Sequence, residues 1–265
     1  MAFGIPKAWS PGLALPQYVA DEGLERHAFT TLQAADMAVP AGIAAAVSDA
    51  GRPEADKARD ADRHPAESVA YAGIKPGDKV IDLIPGGGYF TRIFSKAVGE
   101  KGKVYALTPD EMLKMRATMA DGVKKIAAEP GYGNIEVISS PINEVKAPEK
   151  VDVVWTSLNY HDMHNPMLGP ANMAAYNKSV FNILKPGGIY IVIDHAAAKG
   201  SGARDTESLH RIDAEAVKAE VTGVGFQLVG ESNILAHPAD DHTGKVFDSG
   251  VRGKTDQFLL KFKKP

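Results

Sequence analysis

The chain of 265 residues contains no cysteine. That absence excludes a disulfide framework, a thiol nucleophile and any thiolate-bound zinc or iron–sulfur centre. No stretch approaches the roughly 18 apolar residues that a membrane helix needs, and the weakly apolar run Met37–Val47 is interrupted by Pro40 and Gly42. A secretory signal would need a basic start and a cleavable apolar segment. Here Lys7 is the only early cation and Pro6, Pro11 and Pro16 break any helix. The acids Asp21, Glu25 and Asp36 precede the small-residue run Ala44–Ala46. A soluble, cytoplasmic protein is the expectation. An excess of one charge is also missing: 30 basic and 33 acidic side chains leave a net −3. Nothing global therefore draws the chain to nucleic acid or to a membrane surface, and a small-molecule substrate is the expected partner. Internal repeats and low-complexity tracts are absent.

What is present is an ordinary globular composition, with 44% apolar and 24% charged residues. The length predicts one to two domains at about 150 residues each, enough to build a core without staples. With 26 glycines and 17 prolines, turns are more frequent than the usual share of about 12% implies. The first forty residues show neither helical nor strand periodicity. We read residues 1–52 as an N-terminal arm that packs on the body or on a second copy of the chain, and residues 53–265 as the main domain.

From residue 54 the pattern becomes regular. Glu54–Ala61 is helix-permissive, and Pro65 and Gly73 bracket a helix at its first turn and its end. Lys75-Pro76-Gly77-Asp78 is turn chemistry and leads into a buried strand, Lys79–Ile84. The loop Pro85-Gly86-Gly87-Gly88 follows, then a helix whose apolar face is Phe90, Ile93, Phe94, Ala97 and Val98. Strand, glycine loop and helix make the first half of a βαβ unit. The alternation continues with strands at Lys103–Leu107, Ile135–Ile138, Val151–Ser157 and Ile189–Ile193. Helices are expected at Glu111–Ala128, Ala171–Leu184 and Arg211–Thr222. The closing strands Phe226–Val229 and Gln257–Phe262 have no helix between them and are expected to pair antiparallel. The fold class is α/β: a Rossmann-like doubly wound sheet of seven strands, mostly parallel. The polar stretch between them, His237–Lys254, reads as a functional flap.

In such sheets, ligands bind at the carboxyl ends of the strands. Glycines after the first strand let backbone approach a ligand, beside the free amides of a helix N-terminus. A dinucleotide fingerprint needs G-x-G-x-x-G; Gly86 and Gly88 supply the first pair, but Thr91 stands at the third position. A nicotinamide oxidoreductase is therefore disfavoured.

The run Ile74-Lys75-Pro76-Gly77 and Val80-Ile81-Asp82-Leu83-Ile84-Pro85-Gly86-Gly87-Gly88-Tyr89-Phe90-Thr91 resembles the first motif of class I S-adenosylmethionine-dependent methyltransferases. Leu184-Lys185-Pro186-Gly187-Gly188 before a buried strand resembles a later signature of that family. Within it, the Ile84–Tyr89 loop and Asn159-Tyr160-His161-Asp162 are similar to a bacterial branch of methyltransferases whose members often carry export signals, so the resemblance offers a periplasmic location as the alternative. The resemblance spans about Pro65 to Phe262. It implies S-adenosylmethionine as cofactor, with Asp82 orienting the loop and meeting the methionine end. Ile84, Pro85, Gly86, Gly88, Thr108 and Asn159 would line the cofactor. Two positions depart from the family: Ile84 replaces the first loop glycine, and Thr108 stands where an acid should hold the ribose hydroxyls. Asp110 or Glu111 is the candidate to replace that acid.

Methyl transfer needs an acceptor atom held about 3–3.5 Å from the methyl group, with a base if that atom is a hydroxyl. The end of the fourth strand, Asn159-Tyr160-His161-Asp162-Met163-His164, faces the methyl in the resembling fold. His161 is read as base or substrate orienter, with Tyr160 and Asp162 shaping the pocket; the competing reading has these residues cap the strand and bond backbone groups. His195 joins the catalytic set from the end of the fifth strand. Asp162, Asp194 and His195 have the chemistry of a divalent-metal site, but a hydrogen-bonding role fits as well, and no metal is assigned. The acceptor pocket is expected between this cluster, the 194–206 loop, with mobile glycines Gly200 and Gly202, and the His237–Lys254 flap. Asp60, Arg63 and His64 either close over the cofactor or, the reading preferred here, are solvated helix-end charges. His210, His237 and His242 read as surface residues, Arg252, Lys254 and Asp256 as a flap contact or a charged hairpin approach, and Trp155 as core. The alternative function is a protein that binds the cofactor without transferring its methyl group.

Overall fold

Alternation along the first strand sets the architecture. In β1 (Lys79–Leu83), Val80 and Asp82 project to one face while Ile81 and Leu83 project to the other. The computed structural model describes residues 38–166 and 171–265. The remaining strands are β2 (Lys103–Pro109), β3 (Ile135–Ser140), β4 (Val151–Ser157), β5 (Leu184–His195), β6 (Gln227–Ser232) and β7 (Gln257–Lys263). They form one sheet in the order β3-β2-β1-β4-β5-β7-β6. The five strands from β3 to β5 are parallel; β7 runs antiparallel between β5 and β6. Order reverses between β1 and β4, which opens a crevice at their carboxyl ends.

Helices cover both faces. On one lie α1 (Ala41–Val47), α2 (Glu54–Lys57), α3 (Asp60–Arg63), α4 (Pro65–Ala72) and α5 (Tyr89–Val98). After β2 come α6 (Asp110–Met115) and α7 (Asp121–Ala127), and the second face is closed by α8 (Met173–Ile183) and α9 (Ala214–Thr222). Trp155 is fully buried on the first face, its ring 4.8 Å from Phe90 and 5.2 Å from Phe94, as its place in the apolar strand predicts. Ile43 and Ala46 of α1 share this core, so residues 38–52 pack with the body. The rest of the expected N-terminal arm lies outside the described residues. Among the described residues, no helix is long and apolar enough to cross a membrane.

Two expectations are corrected. The single helix foreseen over Glu111–Ala128 is broken at Arg116, whose backbone is extended (φ −151°, ψ 105°) before a 3-10 turn at Ala117–Ala120. The break re-aims α7 so that Gly122 meets Gly87 across the glycine loop, where a Cβ would stand 3.4 Å from the Gly87 Cα. The helix expected from Arg211 starts at Ala214, because Asp213 caps it through the Glu215 amide and Ile212 bridges to Ala196. The His237–Lys254 stretch, read as a functional flap, is anchored to the body. The Arg211 guanidinium, wholly buried, clasps Asp240 through two bonds of 2.7 and 3.0 Å and also donates to the Gly244 carbonyl. Asp256 receives the His237 amide and the His242 ring. Likewise Gly200 and Gly202, expected in a mobile piece, are held by Asp213 through its carboxylate and its amide.

Candidate active site

The crevice beside β1 and β4 holds a cavity of about 330 Å³, within the size range of small-molecule sites. Asp82 forms part of its floor. Burial raises the Asp82 carboxyl to about 6, against the Thr91 hydroxyl, which donates to Oδ2 at 2.6 Å, and the Arg63 charge. Its other oxygen takes no hydrogen bond among the described residues. Ile84, Pro85, Gly86 and Gly87 form one wall. Gly86 (φ +56°) and Gly87 have open space where a Cβ would stand, so backbone alone meets whatever fills the cavity.

The third loop glycine does different work. A Cβ on Gly88 (φ +85°) would lie 2.3 Å from Ile126 Cδ1. The Cα of Gly88 therefore packs on α7, and Gly88 is not among the residues that line the cavity. Thr108 is also absent from the lining: it is buried at the end of β2, in register with Ser139. Glu111, one candidate to substitute for the missing acid, is taken by the Ile142 amide at 3.0 Å.

Ile84 holds the left-handed backbone (φ +57°) for which the family's glycine is suited, and Leu158 on the opposite wall does the same (φ +60°). A branched side chain in that region costs about 1–3 kcal/mol and survives only where neighbours over-determine it. Asn159 supplies that constraint. Its side-chain amide donates to the carbonyls of Leu83, Ile84 and Ser157 at 3.2–3.3 Å, and its oxygen accepts from Thr156. Asn159 thus lines the cavity, while its polar atoms strap the ends of β1 and β4 together.

The N-terminal side corrects the preferred reading of Asp60 and Arg63 as solvated charges. Asp60 accepts two bonds from buried Arg52, at 2.6 and 2.8 Å, and a third from Tyr89 at 2.6 Å. This clasp seats α3 on α5 and brings Asp56, Arg59 and Arg63 to the cavity. Arg63 lies over the Tyr89 ring at 4.7 Å and has no ion-pair partner among the described residues. Burial, helped by Arg59, lowers its guanidinium to about 10. The legible signal was the four-residue spacing of Arg59 and Arg63, which puts both on one helical face.

At the far end, Asp162 lines the cavity and leads into a chain of histidines. The His161 ring is buried. Its Nδ1 lies 2.8 Å from Asp194 Oδ1 and its Nε2 lies 3.3 Å from Asp162 Oδ1, while its amide donates to Asp194 Oδ2 at 2.7 Å. Desolvation alone would lower the imidazole, but Asp194 and Asp162 prevail and raise it to about 10. A carboxylate therefore stands against each ring nitrogen and holds the imidazole from both sides. His195 is the reverse: burial pushes it down to about 4, and its Nδ1 pairs with the Thr255 hydroxyl at 2.8 Å. Asp194, fully buried, is spent on His161 and the His195 amide, so the set Asp162, Asp194 and His195 does not assemble around one point. His210 takes its place, with Nδ1 3.7 Å from Asp162 Oδ1 and its ring 5.4 Å from that of His161. Tyr160 corrects another expectation. Its hydroxyl donates to Glu220 and accepts from Asn177, each at 2.8 Å, on the opposite face of the sheet. It shapes the core, not the cavity.

Residues 74–229 match the family model described as a methyltransferase domain. The ubiquinone/menaquinone biosynthesis C-methyltransferase UbiE of Yersinia pestis is 28% identical over 197 residues, which cover 71% of this chain and 72% of that protein. A SAM-dependent methyltransferase from Aquifex aeolicus superimposes with a TM-score of 0.57 at 20% identity, covering 81% of this chain and 99% of the other. The [4+2]-cyclase SpnF superimposes with a TM-score of 0.56 at 15% identity, over 80% and 82% of the two chains.

Proposed function

The chain belongs to the methyltransferase-domain family, and from that premise we propose that it transfers a methyl group from S-adenosylmethionine to a small-molecule acceptor. One observation carries the reading: an acid, a guanidinium without an ion-pair partner among the described residues, and two glycines with open space at their Cβ positions border one cavity at the strand-order reversal. When bound, S-adenosylmethionine supplies an electrophilic methyl group on a sulfonium centre. Its amino-acid end is a zwitterion, and the cavity has the complementary pair, Asp82 for the ammonium and Arg63 for the carboxylate. Gly86 and Gly87 admit close backbone approach, and the Asn159 strap keeps Ile84 in its strained turn. The acceptor enters from the Asp162 end, beside the His161 ring. The named activity of UbiE and of the Aquifex protein agrees with this assignment.

A second reading, cofactor binding without transfer, draws on Thr108 at the ribose position and on a cyclase sharing the fold. Thermal shift with S-adenosylmethionine, S-adenosylhomocysteine and NAD tests the first step. The two sulfur nucleosides are expected to raise the melting temperature, by about 2.7 kcal/mol of stabilisation at a hundredfold excess over Kd, and Arg63→Met is expected to lose most of that response. Stabilisation by NAD alone overturns the assignment. Production of S-adenosylhomocysteine alongside a methylated product, in extracts supplied with labelled donor, separates transfer from binding.

A further inference from the structure

We propose that His161, Asp162 and His210 form a binding site for a divalent first-row transition-metal ion, and that this ion takes the methyl acceptor through an oxygen donor. The identity of the acceptor rests on the methyltransferase reading; the metal site does not.

Among the described residues, the ligand atoms of these three side chains all lie within 4.8 Å of one another. Two of the edges are 3.3 Å (His161 Nε2 to Asp162 Oδ1) and 3.7 Å (His210 Nδ1 to Asp162 Oδ1). Bonds of about 2.0–2.2 Å to imidazole and carboxylate span edges of roughly 3–3.5 Å in tetrahedral or octahedral geometry. The third edge lies within the same 4.8 Å, so bringing the three atoms onto one ion takes side-chain movements of up to about 1.5 Å.

The surroundings are those of a ligand set rather than of a chance cluster. A metal-bound histidine characteristically gives its second ring nitrogen to a carboxylate, which fixes ring and tautomer. His161 does this with Asp194, which is fully buried and also holds the His161 amide. His210 sits in the left-handed backbone region (φ +56°), a strain of the kind found at functional sites. The next residue is Arg211, anchored by its buried pair with Asp240, which over-determines that turn. The Phe247 ring, 58% exposed, leans on His210 with 4.8 Å between ring centroids and shields it from one side. Charge agrees as well: two carboxylates flank one imidazole, and a divalent ion offsets both.

Two imidazoles and one carboxylate favour zinc, iron, cobalt or nickel over magnesium or calcium, which prefer all-oxygen sets. Three protein ligands leave positions open, and Asp162 places them at the acceptor end of the cavity. A hydroxyl bound there releases its proton to solvent more readily than in water. Its oxygen then forms the new O–CH₃ bond while the S–CH₃ bond breaks, the bonding pair stays on sulfur, and neutral S-adenosylhomocysteine leaves. The acceptor class is a hydroxylated small molecule able to bind a metal through that oxygen.

The test is titration of the chelator-stripped full-length chain with Zn²⁺ by calorimetry, with Co²⁺ as spectroscopic probe. One ion per chain and Co²⁺ d–d bands of a low-coordinate nitrogen–oxygen site are expected. His210→Ala and Asp162→Asn are each expected to weaken Zn²⁺ binding by more than the ~10–100-fold that outer-shell changes cost. Two variants guard against one failing to fold, with circular dichroism as the control. Absence of binding at millimolar Zn²⁺, or affinity unchanged in a folded variant, overturns the site. Thermal shift by S-adenosylmethionine is read on the same samples. Metal binding without cofactor binding would sink the methyltransferase reading alone, and the converse would sink the metal.

Discussion

Replacing Asp82 by asparagine should make the protein more stable and leave it unable to hold its cofactor normally. The folded chain raises this carboxyl from 3.8 to about 6, chiefly because burial strips its water. At about 1.4 kcal/mol for each tenfold change in proton affinity, ionised Asp82 costs the native state about 3 kcal/mol. The sign follows from proton linkage: the folded state binds this proton more tightly than the unfolded chain does, so stability declines as the pH rises from about 4 to 6 and the full cost applies above that window. Asparagine keeps an oxygen for the Thr91 hydroxyl and carries no charge. In chains of this size a melting temperature moves about 2–4 °C per kcal/mol. Asp82→Asn should therefore melt about 6–12 °C higher than the parent at pH 8, with the gain gone near pH 4. Cofactor binding supplies the second half of the test. If the ammonium requires the ionised carboxylate, the parent's Kd should weaken about elevenfold at pH 5 relative to its high-pH limit, and the variant should bind weakly without that pH dependence. Scanning calorimetry and isothermal titration between pH 4 and 8 measure both. A variant that melts no higher at pH 8, or a gain of equal size at pH 4 and 8, would refute the reasoning.

Four further outcomes follow from particular contacts. Gly86→Ala should lose cofactor affinity at least tenfold while costing only about 1 kcal/mol, because its Cβ enters open space in a left-handed turn. Gly88→Ala should instead destabilise by about 2–3 kcal/mol, since its Cβ collides with Ile126; urea unfolding and titration calorimetry distinguish the two. Tyr160→Phe strips Glu220 and Asn177 of a partner and should cost about 1–2 kcal/mol with kcat/KM for methyl transfer unchanged; a hundredfold fall in kcat would return Tyr160 to the catalytic set. Arg211→Met leaves Asp240 buried without its cation, which should cost about 3–5 kcal/mol and open the His237–Lys254 stretch to limited proteolysis. An unchanged cleavage pattern would show that the pair does not anchor that segment.

The local chemistry of the chain was enough to establish the strands, the glycine loop and the cavity's acid. Short apolar runs bounded by turn residues have one low-energy use in a chain of this composition, and Asp82 has to face α5 because strand side chains alternate. The doubly wound sheet follows from helices alternating with strands, and Trp155 reads as core for the same reason. Side-chain direction and long-range pairing are different. Whether Tyr160 or His161 reaches the cavity depends on the turn after β4, where Leu158 adopts a left-handed backbone that no residue pattern announces. The roles of the histidines depend on which carboxylate each meets, and Asp194 reaches His161 only because β4 and β5 pair in parallel register. Arg63 and His210 lie far from the motifs in sequence and come to the site through the Arg52–Asp60–Tyr89 clasp and the Arg211–Asp240 pair. Local propensity is a property of neighbouring residues, whereas the protonation and reach of a buried group belong to whatever the fold packs against it.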